Sequence, residues 1–271
     1  MSSPTSNTNR LDKIPNGIIE FVAFGVKNAL SCGFPVFVIG MLAISNVLPL
    51  GNLARYDFLL IACLIGQLLM YVFKLESKRE MLVVFGFHAI GLALELHKVN
   101  VGSWSYPEEA WSKIGGVPLY SGFMYASVAS YICRAWHLFD LKIIAWPKNI
   151  LALLMGGLIY LNFFTNAYVY DIRWFLLPLL ILVFWNTKVQ YKPLHNTYSM
   201  PLLIAFALIG FFIWLAENIA TFFNAWKYSY QHNGWEMVAW GKLSSWALLI
   251  IVSIIMVAQL KLWVEPKLSQ K

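Results

Sequence analysis

Charge is what this sequence has least of. Only 12% of its 271 residues are Asp, Glu, Lys or Arg, against a hydrophobic share of 59%. A soluble domain carries about 25% charged residues. The composition therefore excludes a water-facing surface all round and places the chain in the membrane class. Cysteine is scarce too. Cys32, Cys63 and Cys133 sit inside apolar stretches and form no CxxC pair, which excludes a disulfide framework and leaves them as small buried hydrophobes. A Gly-rich phosphate loop, a nucleophile elbow and a spaced zinc motif are all missing, so the sequence calls for no cofactor and no metal. The net charge of +7 is scattered through short loops. That leaves no basic face for nucleic acid, which is not expected as a partner.

What the chain does have is long apolar runs. About 20 apolar residues cross the hydrocarbon of a bilayer. Eight candidate segments follow, at about 31–48, 56–74, 80–97, 118–138, 149–168, 172–187, 200–223 and 243–263. The expected fold is all-α, a polytopic transmembrane bundle with the lipid bilayer as its partner. The stretch IIEFVAFGVKNAL before the first segment reads either as an interfacial helix or as an extension of the span. Glu20 and Lys27 in it lie seven apart and share one helical face. The polar lead, residues 1–16, lacks a signal-peptide cleavage site and reads as a disordered cytoplasmic tail. Residues 17–271 read as one transmembrane domain. With both ends inside, the inner segments hold thirteen Lys and Arg and the outer ones six, as the positive-inside rule requires. Nothing in the sequence specifies an oligomeric state.

One pattern occurs twice. ELHKVNVGSWSYPEE runs from Glu95 to Glu109 and ENIATFFNAWKYSYQ from Glu217 to Gln231. Each begins with Glu, has Trp nine residues later (Trp104, Trp226) and Tyr two residues after that (Tyr106, Tyr228). The glutamates lie 122 residues apart, near the outer ends of the third and seventh segments. Four spans separate them, so both copies point the same way. That predicts two parallel pseudo-repeat halves, about 17–140 and 141–264, related by an axis along the membrane normal. The aromatics also fit an interfacial belt. The acids do not: a carboxylate inside a span costs about 2.5–3.5 kcal/mol at mid-membrane and less near the ends. Such a group is either neutral or paired, and a neutral carboxylic acid in an apolar site is a proton donor in waiting.

Other polar groups fall near the same depth. His88 precedes Glu95 by seven residues on one face of the third segment; a helix–helix hydrogen bond or a proton relay would use it. Asn162 and Asn166 are i, i+4 on the fifth segment and form a polar stripe, which either glues helices or lines a cavity. Asn218 follows Glu217 and would complete such a cavity. The candidate site is therefore Glu95 and Glu217 as proton-transfer groups, lined by His88, Trp104, Tyr106, Asn162, Asn166, Asn218, Trp226 and Tyr228.

The motif, with GVPLYSGFMYA, RAWHLFDL, IYLNFFTN and MPLLIAFALIGFFIWLAENIATFFNAWKY, resembles a bacterial membrane family, domain of unknown function 817, from roughly residue 20 to 262. That resemblance implies a bacterial inner-membrane protein and brings no known reaction. A more distant likeness is to membrane carotenoid cyclases and hydratases. Glu95, Gly102, Trp104, Tyr106, Gly116 and Pro118 match their pattern in the first copy, and Glu217, Ala220, Trp226, Tyr228 and Gly234 in the second. This likeness implies a carboxylate-lined pocket for an isoprenoid that is protonated there. The chain departs from the pattern at Pro118-Leu119-Tyr120-Ser121, where the cyclases carry an acidic pair. Two functions follow. One is a lipid- or isoprenoid-modifying enzyme with Glu95 and Glu217 moving protons. The other is a small-molecule or ion carrier with the same acids as coupling or substrate site.

Overall fold

The structure, a computed structural model, describes residues 16–264. The tail expected over residues 1–16 lies outside them except for Asn16, as do the basic residues counted at positions 10, 13, 267 and 271. In chain order the elements are α1 (Asn16–Ser31), α2 (Gly33–Ile44), α3 (Arg55–Val72), α4 (Lys78–Asn100), β1 (Trp104–Ser105), β2 (Lys113–Ile114), β3 (Val117–Pro118), α5 (Ser121–Leu138), β4 (Lys142–Ile144), α6 (Asn149–Thr165), α7 (Arg173–Phe184), β5 (Lys188–Tyr191), β6 (Tyr198–Pro201), α8 (Leu202–Phe222), β7 (Lys227–Tyr228) and α9 (Gly241–Val264). The expectation of an all-α chain is thus corrected by seven short strands among the described residues. All lie in connections, where two or more chain segments must satisfy each other's backbone groups away from a helix.

Four helices, α3, α4, α8 and the first 19 residues of α9, are long and apolar enough to cross a membrane. A fifth crossing results if α1 and α2, bent by 59° at Cys32, are taken together. α6 and α7 are apolar but shorter, and α7 carries Pro178. The outward side chains fit a lipid-facing surface: Phe21, Leu82, Phe175, Leu182 and Phe212 are each at least 65% exposed. Apolar patches of that kind need a non-aqueous cover.

The helix ends collect at two poles. At one, the connections 45–54, 101–120, 166–172 and 223–240 meet: Arg55 pairs with Glu108 at 2.6 Å, Asn46 Nδ2 donates to the Phe223 carbonyl at 3.1 Å, and Lys98 Nζ donates to Asn166 Oδ1 at 2.6 Å. At the other, β4, β5 and β6 form a three-stranded antiparallel sheet. We call them the motif pole and the sheet pole. α1 belongs to the sheet pole. Its Glu20 accepts from the backbone N–H groups of Leu194, His195 and Asn196, and Lys27 Nζ donates to the Lys192 carbonyl at 2.9 Å. The helical face shared by Glu20 and Lys27 is the one that holds this loop, and α2 alone leaves for the opposite pole.

α5 runs through the middle, against α1, α2, α4 and α9. It buries Ser121, Ser127 and Ser130 beside its apolar residues, which a helix screened from lipid by other helices tolerates. Small residues let the main pairs approach closely. A Cβ at Gly91 of α4 would lie 2.5 Å from the Tyr125 ring of α5, and one at Gly210 of α8 would lie 3.0 Å from the Ala247 backbone of α9. Gly91→Ala must push Tyr125 aside and is expected to destabilise by about 1–3 kcal/mol. Gly86→Ala, with open space around its Cβ, is expected to be neutral or to stabilise the helix by up to about 1 kcal/mol. Thermal unfolding of the detergent-solubilised variants checks both signs.

Candidate functional site

Both copies of the repeated motif start from the same helix ending. After α4 the chain turns at Gly102, φ 73°, where the Ser103 N–H bonds the Lys98 carbonyl and the Gly102 N–H bonds the Val99 carbonyl. After α8 it turns at Asn224, φ 55°, with Ala225 N–H to Ala220 O and Asn224 N–H to Thr221 O. Both are left-handed C-terminal caps, which Gly adopts freely and Asn tolerates. Each folds the following aromatics back over the helix that carries the glutamate.

The two returning segments then meet as β1 and β7. They pair antiparallel with Trp104 opposite Tyr228 and Ser105 opposite Lys227. Beneath them lie the carboxylates, each 4% exposed. Glu95 Oε2 accepts from Trp104 Nε1 and from the Tyr106 hydroxyl, both at 2.7 Å, and Oε1 from the Tyr125 hydroxyl at 2.8 Å. Glu217 Oε1 accepts from the Tyr228 hydroxyl at 2.5 Å and Oε2 from Trp246 Nε1 at 2.6 Å. Burying an ionised carboxylate without partners is very costly. Here neutral donors solvate both.

Lys242 of α9 approaches both returning segments. Its Nζ stands 4.9 Å from the Trp104 ring centroid and 4.6 Å from that of Tyr228, within the electrostatic field of both carboxylates but paired with neither. The rings themselves meet edge to face at 5.9 Å. A cation over aromatic faces gains from their quadrupoles, more so where water is excluded. Burial, with the adjacent carboxylates next, pushes the phenols of Tyr106 and Tyr228 well above the ordinary tyrosine range. They therefore stay donors at any physiological pH.

A second layer fixes the loops. Arg55 caps the end of α8 through the Phe223 and Asn224 carbonyls while pairing with Glu108. Asp57 accepts from the Trp111 and Ser112 backbone N–H groups. The Tyr120 hydroxyl donates to the Ala225 carbonyl at 2.6 Å, tying the 101–120 connection to the 223–240 connection. Asp171 is pushed up by partial burial, but hydrogen bonds from Arg173 and Asn162 win and hold it below its usual range.

The structure gathers Glu95, Glu217, Trp104, Tyr106 and Tyr228 into one unit. Trp226 is buried beside them, but Trp246 takes the place on Glu217 that the motif spacing suggested for it. Asn162, Asn166 and Asn218 act as ties. Asn162 holds Asp171 and the Ile172 N–H, Asn166 holds Lys98, and Asn218 links the Trp214 carbonyl to the Val238 N–H. His88 does not reach Glu95. Its ring packs on Phe123 at 4.4 Å, and its buried Nδ1 has no hydrogen-bond partner among the described residues. Tyr125, Lys242 and Trp246 escaped the motif search because they lie on the following helices. Their signal was spacing: Tyr125 is 30 residues after Glu95 and Trp246 is 29 after Glu217.

The donor set makes the two carboxylates separable by mutation. In Glu95→Gln the amide NH2 can replace Oε1 and face Tyr125, whose hydroxyl turns to accept. Glu95→Ala instead strands one indole N–H and two hydroxyls, at about 1–3 kcal/mol each. Glu95→Gln is expected to fold with a small loss and Glu95→Ala to lose several kcal/mol. Chemical denaturation of both variants in one detergent measures the difference.

No solved structure matches the chain. Among curated proteins it is similar to an uncharacterised protein, YoaT of Bacillus subtilis (strain 168). The two are 55% identical over 244 residues, 90% of this chain and 92% of the relative. These matches give no support to the distant likeness to carotenoid cyclases. The family model described as "Protein of unknown function (DUF817)" covers residues 20–254, a span that includes both carboxylates and all five of their donors. On that match and that identity, the chain belongs to the DUF817 family.

Proposed function

We propose that this is a membrane carrier built from two like-oriented halves, and that the Glu95–Lys242–Glu217 unit is where a proton and a small organic cation compete. The observation that carries the reading is Lys242. A primary ammonium already sits on the faces of Trp104 and Tyr228, in the field of the buried Glu95 and Glu217 though not in contact with them. That box has the chemistry that recognises alkylammonium groups. Protonation of either carboxylate would loosen it.

Four features support the two-half reading. The left-handed caps at Gly102 and Asn224 are 122 residues apart, like the glutamates. The β1–β7 register centres on Ser105 and Lys227, also 122 apart, as a two-fold axis requires. The packing partners are exchanged by the same offset: α2 with α5 and α6 with α9, α4 with α5 and α8 with α9, and α2 with α8 and α6 with α4. Eight crossings by α2 to α9 in an inner membrane, with the sheet pole inside, agree with the distribution of Lys and Arg. Parallel repeats about an axis along the membrane normal are a carrier architecture.

The isoprenoid-enzyme reading has one observation in its favour. An apolar cleft lined by Phe87, Ile90, Leu94, Val128, Tyr160 and Met256 abuts Tyr125, which bonds Glu95. Its volume is about 20 Å³, room for about one water and far short of a polyene.

Proteoliposomes with a trapped pH dye test the proposal, using choline and tetramethylammonium as probes because neither crosses a bilayer as a neutral base. Wild type is expected to move protons when either cation is added outside, and Glu217→Gln to lose at least tenfold of that flux. No flux with either probe, together with a lipid profile altered by gene deletion and restored only with both native carboxylates, would overturn the carrier reading in favour of the enzyme.

A further inference from the structure

A second buried carboxyl cluster lies at the sheet pole, between α3, α4 and α5. Glu76, in the turn between α3 and α4, is 2% exposed. Its Oε2 accepts from Gln67 Nε2 of α3 at 2.5 Å, and its Oε1 from the Ser130 hydroxyl of α5. Gln67 is 1% exposed, and its Oε1 has no hydrogen-bond partner among the described residues. The amide that holds the carboxylate thus also carries a buried acceptor with nothing to accept. The neighbour on α4 is Glu80, whose Oε2 closes the capping box with Ser77 and whose Oε1 meets His137 Nε2 of α5 at 2.6 Å. Half of the His137 side chain is exposed, while that of Glu80 is buried. Arg134 of α5 bonds the Leu75 carbonyl and adds a positive field at Glu76.

We propose that Glu76 is a proton-binding site served from the sheet pole, with His137 and Glu80 as its link to solvent. The inference is independent of the carrier reading, because it rests on groups at the opposite end of α4. A proton on Glu76 converts one carboxylate oxygen into an O–H donor. Turning the Gln67 amide end for end then gives that donor the waiting Oε1 acceptor. Loss of the proton restores the Nε2–H···Oε2 bond. The two states differ by one proton, taken from the medium, and by the direction of one amide. Burial favours the neutral acid and pushes the Glu76 carboxyl above the usual range, Ser130 and Gln67 oppose it, and the charge of Glu80 adds to it. The contact of His137 with Glu80 places that pair beside Glu76 and connects it to the exposed edge of α5. The site is a pH-responsive joint between the α3–α4 turn and the central helix.

Infrared titration of the full-length protein in lipid nanodiscs reads the site directly, through the carbonyl stretch of protonated carboxyl groups. A component with a midpoint above the ordinary glutamate value of about 4.3 is expected in wild type and absent in Glu76→Gln. Ser130→Ala removes a hydrogen bond to the charged form and is expected to raise proton affinity about tenfold. His137→Ala, which removes one of the partners of Glu80, should move the midpoint in the same direction. These two variants keep the carboxyl and decide the matter if Glu76→Gln does not fold. A titrating component untouched by all three substitutions would overturn the proposal, as would a midpoint that tracks sodium concentration and so marks a metal-cation site.

Discussion

Two carboxylates buried in an apolar bundle are the constraint around which the motif pole is organised. A buried carboxylate must be neutralised, paired or hydrogen-bonded. This chain supplies indole N–H and phenol O–H groups, five in all, and the field of one nearby lysine. Indoles and phenols suit the task because they donate a hydrogen bond while presenting an apolar body to the surrounding helices. The donors come from the returning loops and from the helices that follow them. The loops therefore cannot move without uncovering the acids. Arg55 and Asp57 hold those loops from the start of α3, and Tyr120, just before α5, ties one loop to the other.

Much of this was legible in the sequence. The paired Glu, Trp and Tyr predicted that the two motifs lie together, and the structure brings Glu95, Trp104, Tyr106, Glu217 and Tyr228 close to one another. The segment boundaries at 56–74, 80–97, 200–223 and 243–263 fall on α3, α4, α8 and α9, because long apolar runs between polar turns leave few alternatives. The shared face of Glu20 and Lys27 was also readable and has a use in holding residues 192–196.

What the sequence hid is instructive. The break at Cys32 is followed by Gly33 and by Pro35, which has no N–H to offer the Ser31 carbonyl, yet both lie inside one apolar run, so hydropathy alone carries no trace of the 59° bend. The seven short strands are made by tertiary pairing, and two-residue strands have no periodicity to detect. Trp246, not singled out in the sequence, supplies the indole on Glu217, because motif spacing says which residues are near in sequence, not which helix face is near in space. Lys242 reads from sequence as one more outer basic residue. Only the folded structure turns it toward two aromatic faces and two acids. Asn162 and Asn166 share a stripe as expected, yet they tie different partners.

The two poles of α4 are alike in kind: each holds a buried acid received by α5, Glu95 by Tyr125 and Glu76, just before the helix, by Ser130. α5 is thus the element common to both, and any rotation of it changes the solvation of both acids together. The central claim, that Glu95 and Glu217 form one unit through Lys242, is tested most directly by a double-mutant cycle on unfolding free energy with Glu95→Gln, Glu217→Gln and the double variant. The account predicts a coupling well beyond the roughly 0.3–0.5 kcal/mol expected of independent sites, and its collapse when the cycle is repeated in a Lys242→Met background. Additive effects in the native background would contradict it.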